Sequence, residues 1–299
     1  MRKIFPTSQR PHCPTPTCLA PRAVIKQGFF RLRSGARRQR FRCRACRKCF
    51  SQTTATPAHR LRKIHLTQPL MRLRCRNLSL RDTARELHVS QGFVLRRVSR
   101  LGELSRIHNA RLRRKYIAKS GLITEVQIDE MESYEHSRLK PLSISISVTP
   151  ERFILRADVA PIPAKGRLAV TSRAKYGARP DGSGQALDRV LRAVARMSGR
   201  NLRVVTDKKT SYGPAIRRRL PGATHEAVKS RAEAVVGNGE MKEKGFDRMF
   251  ALNQTCAMVR SQMSRMNRRT WKGSKKASAL QDELDLYVWW HNMGIMGLR

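Results

Sequence analysis

The sequence predicts a multidomain α+β protein, and three observations lead to that fold class. Two pairs of cysteines lie in a strongly basic segment near the amino-terminal end. A helical apolar period follows over residues 60–107, and the alternating apolar residues typical of strands begin after Gly121. With 299 residues and 40% hydrophobic content, the chain can bury a substantial core.

The charge of the chain predicts a polyanionic partner. The 63 Lys and Arg exceed the 21 Asp and Glu by 42, and nucleic acid is the usual ligand for such an excess. Residues 1–120 hold 31 of the basic residues against three acids, whereas residues 121–299 hold 32 against 18. We therefore expect DNA binding at the amino-terminal end and carboxylate chemistry in the second part. An acidic membrane surface is the weaker alternative. The sequence has no apolar run near 18 residues and no signal-peptide pattern, so we expect a cytoplasmic protein that spans no membrane.

Four cysteines form two pairs with the spacing of a structural zinc site. Cys13 and Cys18 form C-x4-C, Cys43 and Cys46 form C-x2-C, and alternating aromatic and basic residues between the pairs predict a β-hairpin. This arrangement resembles a zinc ribbon, in which four thiolates close a tetrahedron around Zn²⁺. Two unliganded thiol clusters are the alternative. We interpret Cys49 as a spare thiol that could otherwise replace Cys46.

The helical stretch predicts a helix-turn-helix. Ser79 can cap a first helix, and the turn "HVS" precedes a second helix from about Gln91. On that helix, Arg96, Arg97 and Arg100 are expected to share a face opposite its valines, as suits a recognition helix that meets the major groove and its phosphates. A basic amphipathic helical pair with a solvated face is the alternative.

The second part of the chain predicts the element order β-β-β-α-β-α-β-α. The predicted elements are a strand ending at Asp129, strands at 142–148 and 152–160, a loop at 161–184, a helix at 185–199, a strand at 201–207, a short helix at 211–220, a strand at 223–229 and a helix at 250–269. That order is typical of an RNase H-like fold, a mixed sheet with flanking helices. In this fold the first and fourth strands are neighbours, so Asp129 and Asp207 should meet and could share Mg²⁺ ions that activate water or a 3′-hydroxyl.

At this point the motifs resemble a family. The ribbon, the helix-turn-helix, "DEM" with Asp129, "TDKKTSYG" with Asp207, and then "FALNQTCAMVRSQMSRMNRRTWKGSKK" and "LDLYVWWHN" are similar to a bacterial insertion-sequence transposase of the insertion-sequence-one type. The resemblance implies a DDE transposase that cleaves and joins DNA at the ends of its element with Mg²⁺ or Mn²⁺. It implies that the two aspartates are metal ligands and that Arg268 and Arg269 face DNA. A homo-oligomer on DNA is expected.

The third acid of the family pattern is missing. The matching position is Asn253, whose amide oxygen can coordinate Mg²⁺ but carries no negative charge. Glu243 is the substitute, but it lies in a glycine-punctuated segment, so we rank it slightly lower. A catalytically impaired protein is a further possibility. The chief rival function is accordingly a non-enzymatic DNA-binding protein or repressor derived from a transposase.

The predicted domains follow from these motifs. They are a zinc ribbon at 1–57, a helix-turn-helix at 58–118 and an RNase H-like catalytic domain at 119–299.

Overall fold

The structure is a computed structural model, and it describes residues 11–15, 17–32, 35, 37–51, 54, 61–228, 247–267, 272 and 275–298. The chain divides into two compact units, Met1–Thr67 and Gln68–Arg299.

The first unit contains a small antiparallel sheet. Its strands are β1 (Val24–Arg31), β2 (Arg37–Cys43) and β3 (Cys49–Ser51), paired in that order. The predicted hairpin between the cysteine pairs is thus confirmed as β1 and β2. Phe41 and Phe50 pack with a ring-centroid distance of 5.8 Å against the buried thiols of Cys13 and Cys43. Among the described residues, the apolar core of this unit is only a few side chains, too few to stabilise a fold of this size unaided.

The second unit begins with three helices. They are α1 (Thr67–Arg74), α2 (Leu80–Glu86) and α3 (Gln91–Ser120). Ser79 caps α2 by accepting a hydrogen bond from Asp82 N at 3.0 Å, and Ser90 caps α3 by accepting from Phe93 N at 3.2 Å. Helix α3 is one continuous helix of 30 residues that runs through the predicted domain boundary at 118–119. It stops at Gly121, whose φ of 78° favours glycine.

Five strands form the central sheet of the second unit. They are β4 (Ile123–Tyr134), β5 (Pro141–Val148), β6 (Ile154–Pro161), β7 (Ser198–Asp207) and β8 (Thr224–Val228). The order across the sheet is β6-β5-β4-β7-β8. Strands β4, β5 and β6 are antiparallel, whereas β7 is parallel to β4 and to β8. The predicted neighbourhood of the first and fourth strands is confirmed.

Five more helices surround this sheet. They are α4 (Leu168–Tyr176), α5 (Ser183–Ala195), α6 (Tyr212–Arg219), α7 (Phe250–Gln262) and α8 (Ala277–Ile295). Helix α5 packs on β5 and β6, α7 packs on β4 and β5, and α8 packs on β6 and along α3. None of the helices in the described ranges is long and apolar enough to cross a membrane.

The first strand of the sheet was predicted too short. Strand β4 continues past Asp129 to Tyr134, because β5 pairs with it from Gln127 opposite Val148 to Tyr134 opposite Pro141. Asp129 therefore lies in the middle of a strand and not at its end.

One loop prediction and one helix prediction were also wrong. The segment predicted as a loop at 161–184 contains α4, which ends where Gly177 takes a φ of 72°. Helix α7 ends at Gln262 because Met263 adopts extended backbone angles, φ −106° and ψ 110°. The helix predicted to reach residue 269 is therefore shorter.

Helix α8 covers the open edge of the sheet with two side-chain amides. Asn292 Oδ1 accepts from Ile154 N at 2.9 Å, and its Nδ2 donates to Ile154 O at 2.8 Å. Gln281 Oε1 accepts from Val159 N at 2.7 Å, and its Nε2 donates to Ala157 O at 3.2 Å. These bonds replace those of a neighbouring strand, so β6 presents few unpaired backbone groups for aggregation.

Helix α3 is held closely against α8. Gly102 lies so near the backbone of Asp282 that a side chain at this position would collide with it. The rings of His108 and Trp289 stack with centroids 4.4 Å apart. Helix α3 is therefore anchored to α8 along its length.

A buried charge network ties the ends of three segments together. Glu283 on α8 pairs with Arg74 at the end of α1 and accepts from Arg265 Nε at 2.8 Å, and all three side chains are buried. Removing the carboxylate would leave two buried guanidinium groups without their anion, which is costly.

Candidate functional site

Four thiols meet in the first unit. The sulfur atoms of Cys13, Cys18, Cys43 and Cys46 all lie within 4.8 Å of one another. Cys13 Sγ lies 3.4 Å from Cys46 Sγ, and Cys18 Sγ lies 3.6 Å from Cys43 Sγ. In a tetrahedron with zinc–sulfur bonds of about 2.3 Å, neighbouring sulfurs are about 3.8 Å apart. The sulfur separations therefore bracket those of a tetrahedral Zn²⁺ site.

The loop around the second cysteine pair has the conformation that such a site needs. Arg47 adopts a φ of 57°, which turns the chain so that Cys43 N donates to Lys48 O at 3.0 Å. The backbone N–H of Lys48, followed by the Cys13 thiol, lowers the pKa of Cys46 to about 6. Such N–H groups favour the thiolate, the form that ligates zinc. The exposed Cys49 lies outside the cluster and donates to Gln27 Oε1 at 3.1 Å.

Two aspartates lie side by side at the centre of the large sheet. Strands β4 and β7 run parallel with Ile128 opposite Thr206, so Asp129 and Asp207 occupy the next position on each strand. Both residues are half-buried. The strand order predicted from the sequence is therefore confirmed for this pair, although 77 residues separate the two carboxylates in the chain.

The environment of Asp129 disfavours its charged form. Burial raises the pKa of Asp129 to about 6, and the charges of Asp207 and Glu130 act in the same direction. The opposing contacts are Glu130 N, which donates to Asp129 Oδ1 at 2.7 Å, and the more distant hydroxyl of Tyr212 at 3.5 Å. A divalent cation stabilises two neighbouring carboxylates that repel each other in their charged forms. Hard carboxylate oxygens suit Mg²⁺ or Mn²⁺.

One lysine balances part of this charge. Lys209 N donates to Asp207 Oδ1 at 3.0 Å, while its Nζ pairs with Glu130 Oε2 at 2.9 Å. Glu130 also accepts from Ser143 Oγ at 2.8 Å. Glu130 is thus already occupied by two partners, which leaves the two aspartates as the better ligands.

Tyr212 is a site residue that the sequence did not reveal. Its side chain is completely buried, and burial together with the charge of Asp129 raises the pKa of its hydroxyl, so that it remains a neutral donor. Tyr212 and Lys209 both lie within the motif "TDKKTSYG", but only the packing of α6 against the sheet gives their polar atoms a direction.

Helix α7 is fixed to the sheet next to the aspartates. Gln127, two residues before Asp129 on β4, accepts from Leu252 N at 2.9 Å and donates to Arg248 O at 3.0 Å. Arg248 in turn pairs with Glu226 of β8. The first turn of α7 is therefore held over β4 by buried polar contacts.

Asn253 belongs to the first turn of α7. Asn253 and Cys256 are three residues apart and so share one side of the helix. Burial and then the charge of Asp129 raise the pKa of Cys256 to about 12. Asn253 itself is exposed, and its Nδ2 donates to Asp247 Oδ2 at 3.0 Å. A third carboxylate, Asp247, is consequently next to the amide.

The three arginines predicted to share a face of α3 do not do so. Arg96 and Arg100 are exposed, and Arg100 pairs with Glu103 at 2.9 Å. Arg97 is only 4% exposed, and its guanidinium lies 4.8 Å from the ring centroid of Phe93. It follows Val94 by three positions, so the helical repeat turns it toward the buried side. The prediction that Arg97 shares this face is therefore wrong, and its contact with DNA stays a prediction.

Three predicted site residues lie outside the described residues. They are Glu243, Arg268 and Arg269.

No family model matches the chain, and no curated protein is similar to it in sequence. Two solved structures of the Mos1 transposase are weakly similar: its strand transfer complex, with 13% identity and a TM-score of 0.25, and its pre-cleavage transpososome, with 12% identity and a TM-score of 0.24. Each match covers 76% of this chain and 77% of the other. Likeness at this level establishes no shared fold.

Proposed function

We propose that this chain is the DNA transposase of an insertion sequence, an enzyme that binds the ends of its element and cleaves and joins DNA strands. The observation that carries the proposal is the pairing of Asp129 and Asp207 on adjacent parallel strands at the centre of the sheet. The strand order and the helices around it support an RNase H-like catalytic domain of the DDE type at 119–299.

In the proposed active site, Asp129 and Asp207 hold divalent cations together with the amide oxygen of Asn253. When bound, Mg²⁺ or Mn²⁺ polarises the scissile phosphate and lowers the pKa of the attacking water or 3′-hydroxyl. Tyr212 orients the carboxylate of Asp129 by donating to it. Lys209 neutralises Glu130 and so keeps the local negative charge low enough for a phosphate backbone to approach.

The amino-terminal modules are proposed to recognise DNA. The zinc ribbon at 1–57 is held by Zn²⁺ on the four thiolates, which gives rigidity to a unit with few core side chains. In the helix-turn-helix at 58–118, Arg96 and Arg100 remain exposed on the second helix, as do Arg106, Arg111, Arg114 and Lys115. The net charge of +42 favours binding of the phosphate backbone by a homo-oligomer of this chain.

A second candidate is a DNA-binding protein or repressor without catalytic activity. Asn253 favours it, because an amide contributes no charge at the position of the third ligand. The carboxylate of Asp247, 3.0 Å from the amide nitrogen, places a negative charge beside Asn253. That charge favours the enzyme, because it could compensate for the missing acid.

Cleavage assays separate the two candidates. DNA that carries the inverted repeats flanking the gene is incubated with the protein and Mg²⁺ or Mn²⁺, and nicked and joined products are measured. We expect Asp129→Ala and Asp207→Ala to abolish both products while DNA binding is retained or slightly tightened, since a carboxylate near the phosphates has been removed. Glu132→Gln is the matched control, because Glu132 is an exposed acid of the same strand that pairs with Lys165 at 3.7 Å. An unmodified protein that binds these ends but cleaves neither strand would establish the repressor alternative.

The identity of the third ligand is tested by the same assay. We expect Asn253→Ala to reduce cleavage and Asn253→Glu to keep or raise it, whereas Glu243→Ala should have little effect. Loss of cleavage in Glu243→Ala, with Asn253→Ala unaffected, would transfer the role to Glu243.

A further inference from the structure

A cavity of about 340 Å³ lies between α3, α5, β6 and α8, on the part of the sheet away from Asp207. Its charged lining residues are four arginines and two aspartates: Arg106, Arg113, Arg156, Arg189, Asp158 and Asp285. With all six ionised, the lining carries four positive and two negative charges; Asp282, which is outside the lining, pairs with Arg106 at 2.5 Å and reduces the local excess to +1.

The two aspartates already neutralise three of the arginines. Asp158 accepts from Arg156 Nε at 2.9 Å and from Arg189 Nε at 2.7 Å. Asp285 accepts from Arg106 Nε at 2.8 Å. These contacts hold the three guanidinium groups in place and leave each of them with further N–H donors, since a guanidinium has five.

Arg113 is the lining arginine that forms no ion pair with a described carboxylate. Its Nη1 donates to Leu155 O at 3.2 Å, and among the described residues no carboxylate lies within ion-pair distance of it. Burial, and then the positive charge of Arg156, lowers the pKa of Arg113 to about 10. A half-buried guanidinium beside other cations is costly unless an anion joins it.

The amino-terminal end of α8 at the cavity already has one carboxylate partner, since Ala277 N donates to Glu135 Oε1 at 3.1 Å. The first residues of α8, Ala277 and Ser278, belong to the lining, so the amino-terminal end of a helix of 19 residues faces the space. That end carries a partial positive charge. The preference for a negative ligand therefore depends on the cavity and on Arg113, which forms no ion pair with a described carboxylate.

We propose that this cavity binds a phosphate monoester dianion, with Arg113 as its principal ligand. A phosphate monoester presents two negative charges and three terminal oxygens to the guanidinium groups, whereas a phosphodiester within a nucleic-acid strand carries one negative charge. Fixed guanidinium forks suit phosphate oxygens. The volume accommodates a phosphate with an attached sugar. The site requires none of the residues of the proposed strand-transfer centre.

Calorimetric titration with inorganic phosphate tests the proposal on the full chain. The titration is run at pH 8, where phosphate is mostly the dianion, with chloride holding the ionic strength constant. We expect saturable binding of one phosphate per chain in the unmodified protein. Absence of saturable binding would overturn the proposal without reference to any variant.

Two neighbouring arginines of α3 provide the matched variants. Arg113→Met should weaken phosphate binding by about tenfold or more, as expected for a charge-assisted hydrogen bond. Arg114→Met removes the same charge from an exposed position and should leave the affinity within about twofold. Equal weakening in both variants would show general charge attraction and refute a built site.

The thermal stability of the phosphate-free protein distinguishes a binding role from a structural one. Because Arg113 lacks a carboxylate partner, Arg113→Met should unfold at the same temperature as the unmodified protein or higher. A marked decrease in that temperature would make Arg113 a structural residue and would contradict the proposal.

Short oligonucleotides identify the source of the phosphate. A dinucleotide with a 5′-phosphate and the same dinucleotide with a 5′-hydroxyl are used to displace bound inorganic phosphate. Displacement by the 5′-phosphorylated form alone supports a monoester site that accepts strand ends. Displacement by neither form would overturn the monoester and leave a site for free phosphate. Equal displacement by both forms would contradict the preference for a monoester.

Discussion

Asn292 is predicted to contribute more to stability than a buried residue that makes a single hydrogen bond. The reason is that its amide bonds both backbone groups of Ile154 on the edge strand β6. Its side chain is fully buried and makes hydrogen bonds of 2.9 and 2.8 Å. Asn292→Ala leaves a buried N–H and a buried C=O without partners, at about 1–3 kcal/mol each, or about 2–6 kcal/mol in total. In a unit of 150–250 residues, a loss of about 4 kcal/mol lowers the unfolding temperature by about 8–16 °C.

Thermal unfolding and hydrogen exchange measure this effect. Exchange of the Ile154 amide should accelerate in Asn292→Ala more than exchange of amides in β4. Asn109→Ala is the matched control: Asn109 is also buried, but it donates only to Asp285 O at 3.0 Å, within helix α8. We expect the control to lose about 1 kcal/mol. Equal losses in the two variants, or unchanged exchange at Ile154, would refute the reasoning that the amide replaces a neighbouring strand.

Elemental analysis should find one zinc per chain, lost in Cys43→Ser and retained in Cys49→Ser, because Cys43 is one of the four clustered thiols and Cys49 is not. Zinc-free native protein would contradict this prediction. Folding raises the pKa of Asp129 from 3.8 to about 6, so the folded state holds the proton more tightly and stability should fall as pH rises from about 4 to about 6. Asp129→Asn should remove that dependence and stabilise the metal-free protein at pH 7 by about 1–3 kcal/mol, and an unchanged pH profile of urea unfolding would oppose the assignment. Binding of duplex DNA should weaken by roughly 0.9 log unit per log unit of salt for each phosphate contact, and Arg96→Ala should reduce that slope by about one contact. Arg97→Ala should leave the slope unchanged, since Arg97 is buried; a slope reduced by Arg97→Ala alone would reverse this assignment.

The features that the sequence predicted correctly depend on local spacing or on strand order. The thiols of Cys13, Cys18, Cys43 and Cys46 meet because two short turns on either side of a hairpin fix their separation. Asp129 and Asp207 meet because parallel strands align their positions across the sheet. Both arguments require only the order of elements and the period of a strand.

The features that the sequence did not predict depend on contacts between distant segments. Whether Arg97 points to solvent is decided by the packing of α3, and a basic residue gives no sign of its own burial. The role of Asn292 exists only because α8 docks on β6, 138 residues away in the chain. The direction of the Tyr212 hydroxyl likewise follows from the docking of α6 near Asp129. Local propensity contains no information about such tertiary partners.

The binding of Mn²⁺ to the zinc-loaded protein tests most directly whether Asp129 and Asp207 form a metal centre, because it requires no knowledge of the DNA ends. Electron paramagnetic resonance measures free and bound Mn²⁺ during a titration of the unmodified protein, Asp207→Asn and Glu132→Gln. The proposed centre predicts saturable binding that Asp207→Asn weakens by about tenfold or more and that Glu132→Gln leaves unchanged. Saturable binding that is equally strong in Asp207→Asn, or its absence from the unmodified protein, would contradict the account.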